Sequence, residues 1–309
     1  MVVADALANR DLAEFAALAA DAPPAGEEAI YGALLDALAA AFAALADPDC
    51  MRFVGPIVPG ATMARGARVP GTSLELEPIA AAFCIGVAAC WRGGADPVRE
   101  NLGALLALLD FSSRRAHDLA CPPPLIGALL TGLGRAARIQ ATLEQEAAYP
   151  VGADAARLAV RVASATVAAR LLGGDVARTA LAATHAWLDG VPPAGHPRAR
   201  PIAARAAWAA GDATSRGLRC ALLALATGTA DGTEACVSAD PASAAAVARI
   251  AAASPPPVDA GDALARFAAS LGPLFGGRRS AAILKCVTDR DAFAATPINE
   301  FAALVVRNA

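Results

Sequence analysis

Apolar residues that return every three or four positions, in segments closed off by proline and glycine, set the fold class of this chain. Ile30, Leu34, Leu38, Phe42 and Leu45 share one helical face between residues 27 and 46, and Asp47-Pro48 stops that segment. Segments of this kind recur along the chain, whereas the short Val/Ile/Thr alternations that make strands are nearly absent. Alanine dominates the spaces between larger apolar residues, and it is the best helix former because it loses no side-chain entropy on folding. With 56% hydrophobic and 18% charged residues, the chain has the composition of a packed core rather than of disorder. The pattern predicts an all-α protein, and 309 residues are enough to bury a sizeable core.

In chain order, a short helix is expected over 11–21 and a stronger one over 27–46, followed by a Pro/Gly-rich connection at 48–73. Thr72 or Ser73 is the expected cap of the next helix, which starts near Pro78 and runs to Cys90-Trp91. A tight turn at residues 92–97 leads into helix from Arg99 to Leu109, and Pro122-Pro123-Pro124 breaks the chain before helix at 125–146. Helices at 154–172 and 176–189 meet at Gly173-Gly174, the chemistry of a left-handed C-terminal cap, with Asp175 capping the second. A helix from Trp208 to Ala226, a polar loop at 227–240 and short helices at 241–252, 260–271 and 279–286 complete the list. A turn and a final amphipathic helix follow, between Asp289 and Asn308.

The net charge of −3 and the lack of any Lys/Arg block with interleaved aromatics exclude a nucleic-acid binder. No apolar run is long enough to span a bilayer, and Asp5, Arg10, Asp11 and Glu14 interrupt the N-terminal apolar stretches where a secretory signal would lie. A cytoplasmic location is the expectation. Cys50, Cys84, Cys90, Cys121, Cys220, Cys236 and Cys286 are irregularly spaced without a CxxC pair, so buried free thiols are expected rather than disulfides or a zinc site. There is no P-loop, no G-x-S-x-G and no complete G-x-G-x-x-G, and no metal or organic cofactor is implied.

The stretch His185–Arg219 reads as a helix end, a long Pro/Gly/Arg-rich strap and a new helix, and long ordered straps of this kind often carry function. His196, between Gly195 and Pro197, is the histidine of the strap and the first candidate acid or base. Asp96 reads in two ways, as the cap of the helix that follows it or as a base. Arg198, Arg200 and Arg205 are either a solvated run or an anion grip, since arginine holds a carboxylate through two parallel bonds. Asp212 and Arg216, one turn apart, suit an i,i+4 ion pair. His185 beside Trp187 reads first as a packed histidine, and Glu146 and Tyr149 fall at a helix end where Tyr149 can line a pocket.

Three blocks together resemble the MmgE/PrpD family of 2-methylcitrate dehydratases and cis-aconitate decarboxylases. The first runs Val69-Pro70-Gly71-Thr72-Ser73, Pro78, Ala81-Ala82-Phe83, Ile85-Gly86 and Asn101-Leu102-Gly103. The second is HAWLDG from His185 with WAAGDATSRG from Trp208, and the third is Thr288-Asp289, Phe293 and Pro297-Ile298-Asn299-Glu300-Phe301. The resemblance covers residues 10–226 and 275–307. It implies a large helical domain with a smaller α+β lid over the active site, and action on small polycarboxylates.

The space between Thr227 and Leu274 is too short for that lid. One helical domain is therefore expected over 1–309: a core at 1–226, a remnant at 227–274 and C-terminal helices at 275–309. Asn101, Glu146, Asp189, Asp212 and Arg216 match the family. Its acid–base and cation positions fall on Asp96, Ala156, Ala194, Arg198 and Ala206, and alanine neither moves a proton nor binds a carboxylate. The resulting expectation is a repurposed lyase-fold enzyme for elimination, isomerisation or cyclisation of a small anionic metabolite. Asp96 and His196 would transfer protons, Arg198 and Arg205 would hold the anion, and Asn101, Glu146, Tyr149 and His185 would line the site. The alternative is an inactive binding or partner subunit. A homodimer, or a hetero-oligomer with a full-length relative, is the expected assembly.

Overall fold

The computed structural model describes residues 26–93, 96–116, 118–145, 153–189, 203–227 and 258–307. It begins with α1 (Glu27–Ala44) and a single turn, α2 (Pro48–Met51), before β1 (Ala67–Arg68) and β2 (Glu75–Leu76). The main bundle then forms from α3 (Pro78–Cys90), α4 (Pro97–Arg115), α5 (Ile126–Gln145), α6 (Ala153–Leu171), α7 (Val176–Leu188) and α8 (Ala203–Ala226). The chain finishes with α9 (Ala260–Thr288), α10 (Arg290–Ala294) and α11 (Ile298–Leu304). The fold is mainly α-helical, as the periodicity predicts. Its one small departure is an antiparallel ladder of two-residue strands pairing Ala67 with Leu76 and Arg68 with Glu75.

The helix starts follow elementary capping chemistry. Asp96, Asp175 and Asp259 each accept backbone N–H bonds of the turn they precede, and prolines occupy the first turns of α3 and α4. The expected cap at Thr72 or Ser73 is not the observed one. Glu77 caps α3 by accepting from Ile79 N at 3.0 Å and Ala80 N at 2.8 Å. Thr72 instead closes a turn, donating to Val69 O at 2.8 Å and accepting from Leu74 N at 3.1 Å. The helix after the strap begins at Ala203, earlier than Trp208, because the alanines before the tryptophan extend it at little cost. The two short helices expected at 260–271 and 279–286 are one continuous path, α9, bent at Gly276 (φ 64°, ψ 165°). Calls over residues 11–21 and 241–252 lie outside the described residues.

The core is set by small residues that let backbones touch. A Cβ on Gly86 of α3 would lie 2.9 Å from Gly211 Cα of α8, and one on Gly103 of α4 would lie 2.3 Å from Ala82 O of α3. A Cβ on Gly217 of α8 would meet Arg161 O of α6 at 2.7 Å. On the other flank, α1 packs on α9 through rings: Phe42 lies 5.9 Å from Phe267 and 5.4 Å from Phe275.

The C-terminal helices are tied to the first motif block by polar contacts. Arg68 donates to both carboxylate oxygens of Asp110, at 3.1 and 2.5 Å, and to Asn299 O at 2.9 Å. Ser113 Oγ donates to Asn299 Oδ1 at 2.9 Å, and Gly71 N donates to Val305 O at 2.6 Å. Among the described residues, no helix is long and apolar enough to cross a membrane.

Candidate functional site at the polar end of the bundle

Successive helices of the bundle run up and down, so the C-terminal ends of α3, α5 and α7 and the N-terminal ends of α4 and α6 gather at one end. Side-chain contacts confirm the gathering. Glu100, in the first turn of α4, receives Arg157 Nη1 of α6 at 2.6 Å and Gln140 Nε2 of α5 at 2.7 Å. Gln140 Oε1 accepts from Asn101 Nδ2 at 2.9 Å, and Asn101 Nδ2 also donates to Pro97 O at 2.8 Å. Ser164 Oγ donates to Asn101 Oδ1 at 2.7 Å and lies 3.1 Å from Thr214 Oγ1, which accepts from Ala104 N at 3.0 Å. One hydrogen-bonded chain thus joins α4, α5, α6 and α8 through an otherwise apolar interior.

A second cluster sits where α7 ends. Asp189 caps that helix by donating its N–H to His185 O at 3.0 Å. Its carboxylate receives Arg216 Nε at 2.8 Å and Arg216 Nη2 at 3.2 Å, and Arg161 donates to its carbonyl. Asp212 meets Arg216 Nη1 at 3.4 Å. The expected i,i+4 pair therefore exists, but the shorter, two-pronged contact of Arg216 goes to Asp189. Arg161 is only 7% exposed, while Arg216, Asp189 and Asp212 reach solvent.

The electrostatics separate these groups. Burial pushes the Glu100 carboxyl above the usual carboxylate range, against the opposing pull of its Gln140 bond and the Arg157 charge. Burial pushes the Cys90 thiol up to about 12 and raises Cys220 beside the second cluster. Cys50 and Cys84 are pushed up to about 12 and about 11, so these thiols are buried, inert residues of the kind the sequence predicts. Among the described residues no group of three or more His, Cys, Asp or Glu side chains is arranged to hold a metal ion.

The residues singled out from the sequence fare unevenly. Asp96 Oδ1 accepts from Val98 N at 2.8 Å and Arg99 N at 3.2 Å, which is the capping geometry, at the polar end. Asn101 is fully buried, with its amide taken up by Pro97, Gln140 and Ser164. His185 is half-buried in the last turn of α7. Arg205 falls in the first turn of α8, but its side chain lies outside the described residues, as do Glu146, Tyr149, His196 and Arg198. Sequence reasoning missed Glu100, Gln140, Arg157, Arg161 and Ser164. The available signal was a polar stripe, Arg157, Arg161 and Ser164 at helical spacing, on a helix otherwise built of alanine and valine.

A glycine-seamed helical bundle with an arginine- and carboxylate-lined end defines a scaffold for binding small charged molecules rather than polymers. The chain belongs to the MmgE/PrpD family: residues 10–237 match the MmgE/PrpD N-terminal domain. It is 40% identical over 200 residues to the 2-methylcitrate dehydratase of Salmonella typhimurium, covering 62% of this chain and 41% of that protein. The 2-methylcitrate dehydratase of Cupriavidus necator is 37% identical with the same coverage, and an alkylcitrate dehydratase of a fungal species is 34% identical over 206 residues, covering 62% and 40%. The chain thus spans about two-fifths of the length of these relatives.

Proposed function

We propose that the chain is a lyase-type enzyme that acts on a small anionic metabolite at the polar end of the bundle. Elimination is the first reaction expected, with isomerisation or cyclisation as other outcomes of the same proton handling. The observation that carries this reading is the solvent-reaching group of Asp189, Asp212 and Arg216 backed by buried Arg161. It places carboxylates able to exchange a proton beside guanidinium groups able to grip an acid. The relatives named as dehydratases of 2-methylcitrate and alkylcitrate support the same class of chemistry. On this reading His196 and Asp96 transfer protons and Arg198 and Arg205 hold the anion. Asn101, Glu146, Tyr149 and His185 shape the site, in a single helical domain with a reduced lid.

The test is turnover by the purified full chain, followed by ultraviolet absorbance of the carbon–carbon double bond formed from 2-methylcitrate, citrate and related hydroxy acids. Activity on at least one of them is expected, reduced about 100-fold or more in Asp189→Asn and Arg216→Met variants that keep full helix content. Equal rates in wild type and both variants would remove the second cluster from the site. A second reading, a non-catalytic partner subunit, is favoured by Leu188, 69% exposed beside Asp189. Lack of turnover together with a stable homo- or hetero-oligomer in sedimentation would select it.

A further inference from the structure

Glu100 and Arg157 form the one ion pair described here that joins the buried chain of the interior to the rim of the polar end. Glu100 is 5% exposed and Arg157 25%. Arg157 can therefore turn its guanidinium outward without opening the core, whereas the Glu100 carboxylate cannot follow it into water. The pair is single-pronged, one Nη1 on one oxygen at 2.6 Å, and the other oxygen is held by the neutral amide of Gln140. The charges around Glu100 determine what happens when Arg157 leaves. From its own helix come Asp96 and Arg99, and Arg99 is engaged by Asp36 of α1. From α5 comes Glu144, which shares the Gln140 amide at 3.3 Å and repels Glu100, and from α3 comes the inert Cys90 thiol. No uncommitted cation among these groups replaces Arg157. A buried carboxylate left beside a second carboxylate takes up a proton rather than stay charged. The neutral acid still accepts from Gln140 and loses nothing else.

We propose that an incoming small carboxylate competes with Glu100 for Arg157, so that occupation of the polar end is coupled to uptake of one proton by Glu100. This rests on the reading that the polar end receives such an anion, and it makes Glu100 a positioning residue rather than one that touches the ligand. The proton comes from solvent, the guanidinium stays charged throughout, and no covalent bond other than the O–H of Glu100 changes. The consequence is a site whose grip on carboxylates tightens as pH falls.

Titration calorimetry of the full chain with tricarballylate tests it. That tricarboxylate lacks a hydroxyl to eliminate, and buffers of different ionisation enthalpy report the protons exchanged. The expected result at neutral pH is uptake of about one proton per bound anion, with affinity falling by up to about tenfold for each pH unit upward. Glu100→Gln should bind with the uptake abolished, and Arg157→Met should bind weakly and without it. Binding by wild type with no proton uptake and a flat pH profile overturns this inference alone. So does uptake that survives Glu100→Gln. Failure of tricarballylate to bind at all overturns it together with the reading on which it rests. The wild-type pH series decides the matter even if Glu100→Gln does not fold.

Discussion

Two arginine–carboxylate pairs are buried in this molecule, and they are built to opposite specifications. Arg68 grips Asp110 with two guanidinium nitrogens, its own N–H adds a third bond at 2.8 Å, and the pair is only 12% and 1% exposed. Asn299 and Ser113 complete the set, so each charge is answered from several directions. Arg157 and Glu100 share a single bond, one partner reaches solvent, and burial still holds the carboxyl above its ordinary range. The first arrangement makes a rivet between β1, α4 and α11. The second makes an adjustable contact at the end of the bundle where the proposed chemistry lies. Buried ion pairs carry a desolvation penalty in either case, and geometry decides whether that penalty is matched.

The largest expected effect breaks the rivet. Asp110→Ala leaves Arg68 buried without its carboxylate and should cost about 3–5 kcal/mol in denaturant unfolding, with loss of cooperativity at the C-terminal helices. Next comes Gly211→Ala, whose added methyl would lie 2.7 Å from Phe83 O and 3.0 Å from Val87 N. The overpacked seam should lose about 1–3 kcal/mol, where the same change on an open helix face would gain stability. A smaller, pH-dependent effect is expected at Asp36, where burial raises the carboxyl but bonds from Arg99 and Arg266 outweigh it and hold it below the usual range. That stability is present above the ordinary carboxylate range and disappears as pH falls through the lowered value. The Tm gap between wild type and Asp36→Asn should therefore be widest near neutrality and close in acid.

Glu100→Gln is the mildest change and runs the other way. Its raised carboxyl favours the fold at low pH and opposes it as pH climbs past the normal carboxylate range. The variant should match wild type in acid and equal or exceed its Tm at pH 8. A loss of stability as large as that of Asp110→Ala would erase the distinction between the two pairs.

Much of this architecture was legible before any coordinates. The periodic segments, the cap at Asp175 and the break after Leu171 all follow from local rules, because capping and left-handed turns depend on neighbours in sequence. Thr72 misled because a threonine ahead of a proline suits a helix start, whereas Glu77 stands directly before Pro78 and reaches back to the free N–H groups. The bend at Gly276 was read as a full break, since sequence cannot tell one left-handed residue from a connection. At the candidate site, Asn101 and Arg216 were found but given the wrong company. Their partners, Gln140, Ser164 and Asp189, come from other helices, and only packing brings them together. Asp96 was open between two roles, and the structure supplies the capping bonds that one of them requires.

The glycine seams have one more consequence. Where Gly86 meets Gly211 and Gly217 meets Arg161, main chain lies against main chain, and the helix spacing admits no side-chain compromise. The sequence signature around Trp208 is therefore largely a record of steric fit. Lineages that share it inherit the same frame, while the charged fittings at its rim are free to be exchanged for new chemistry.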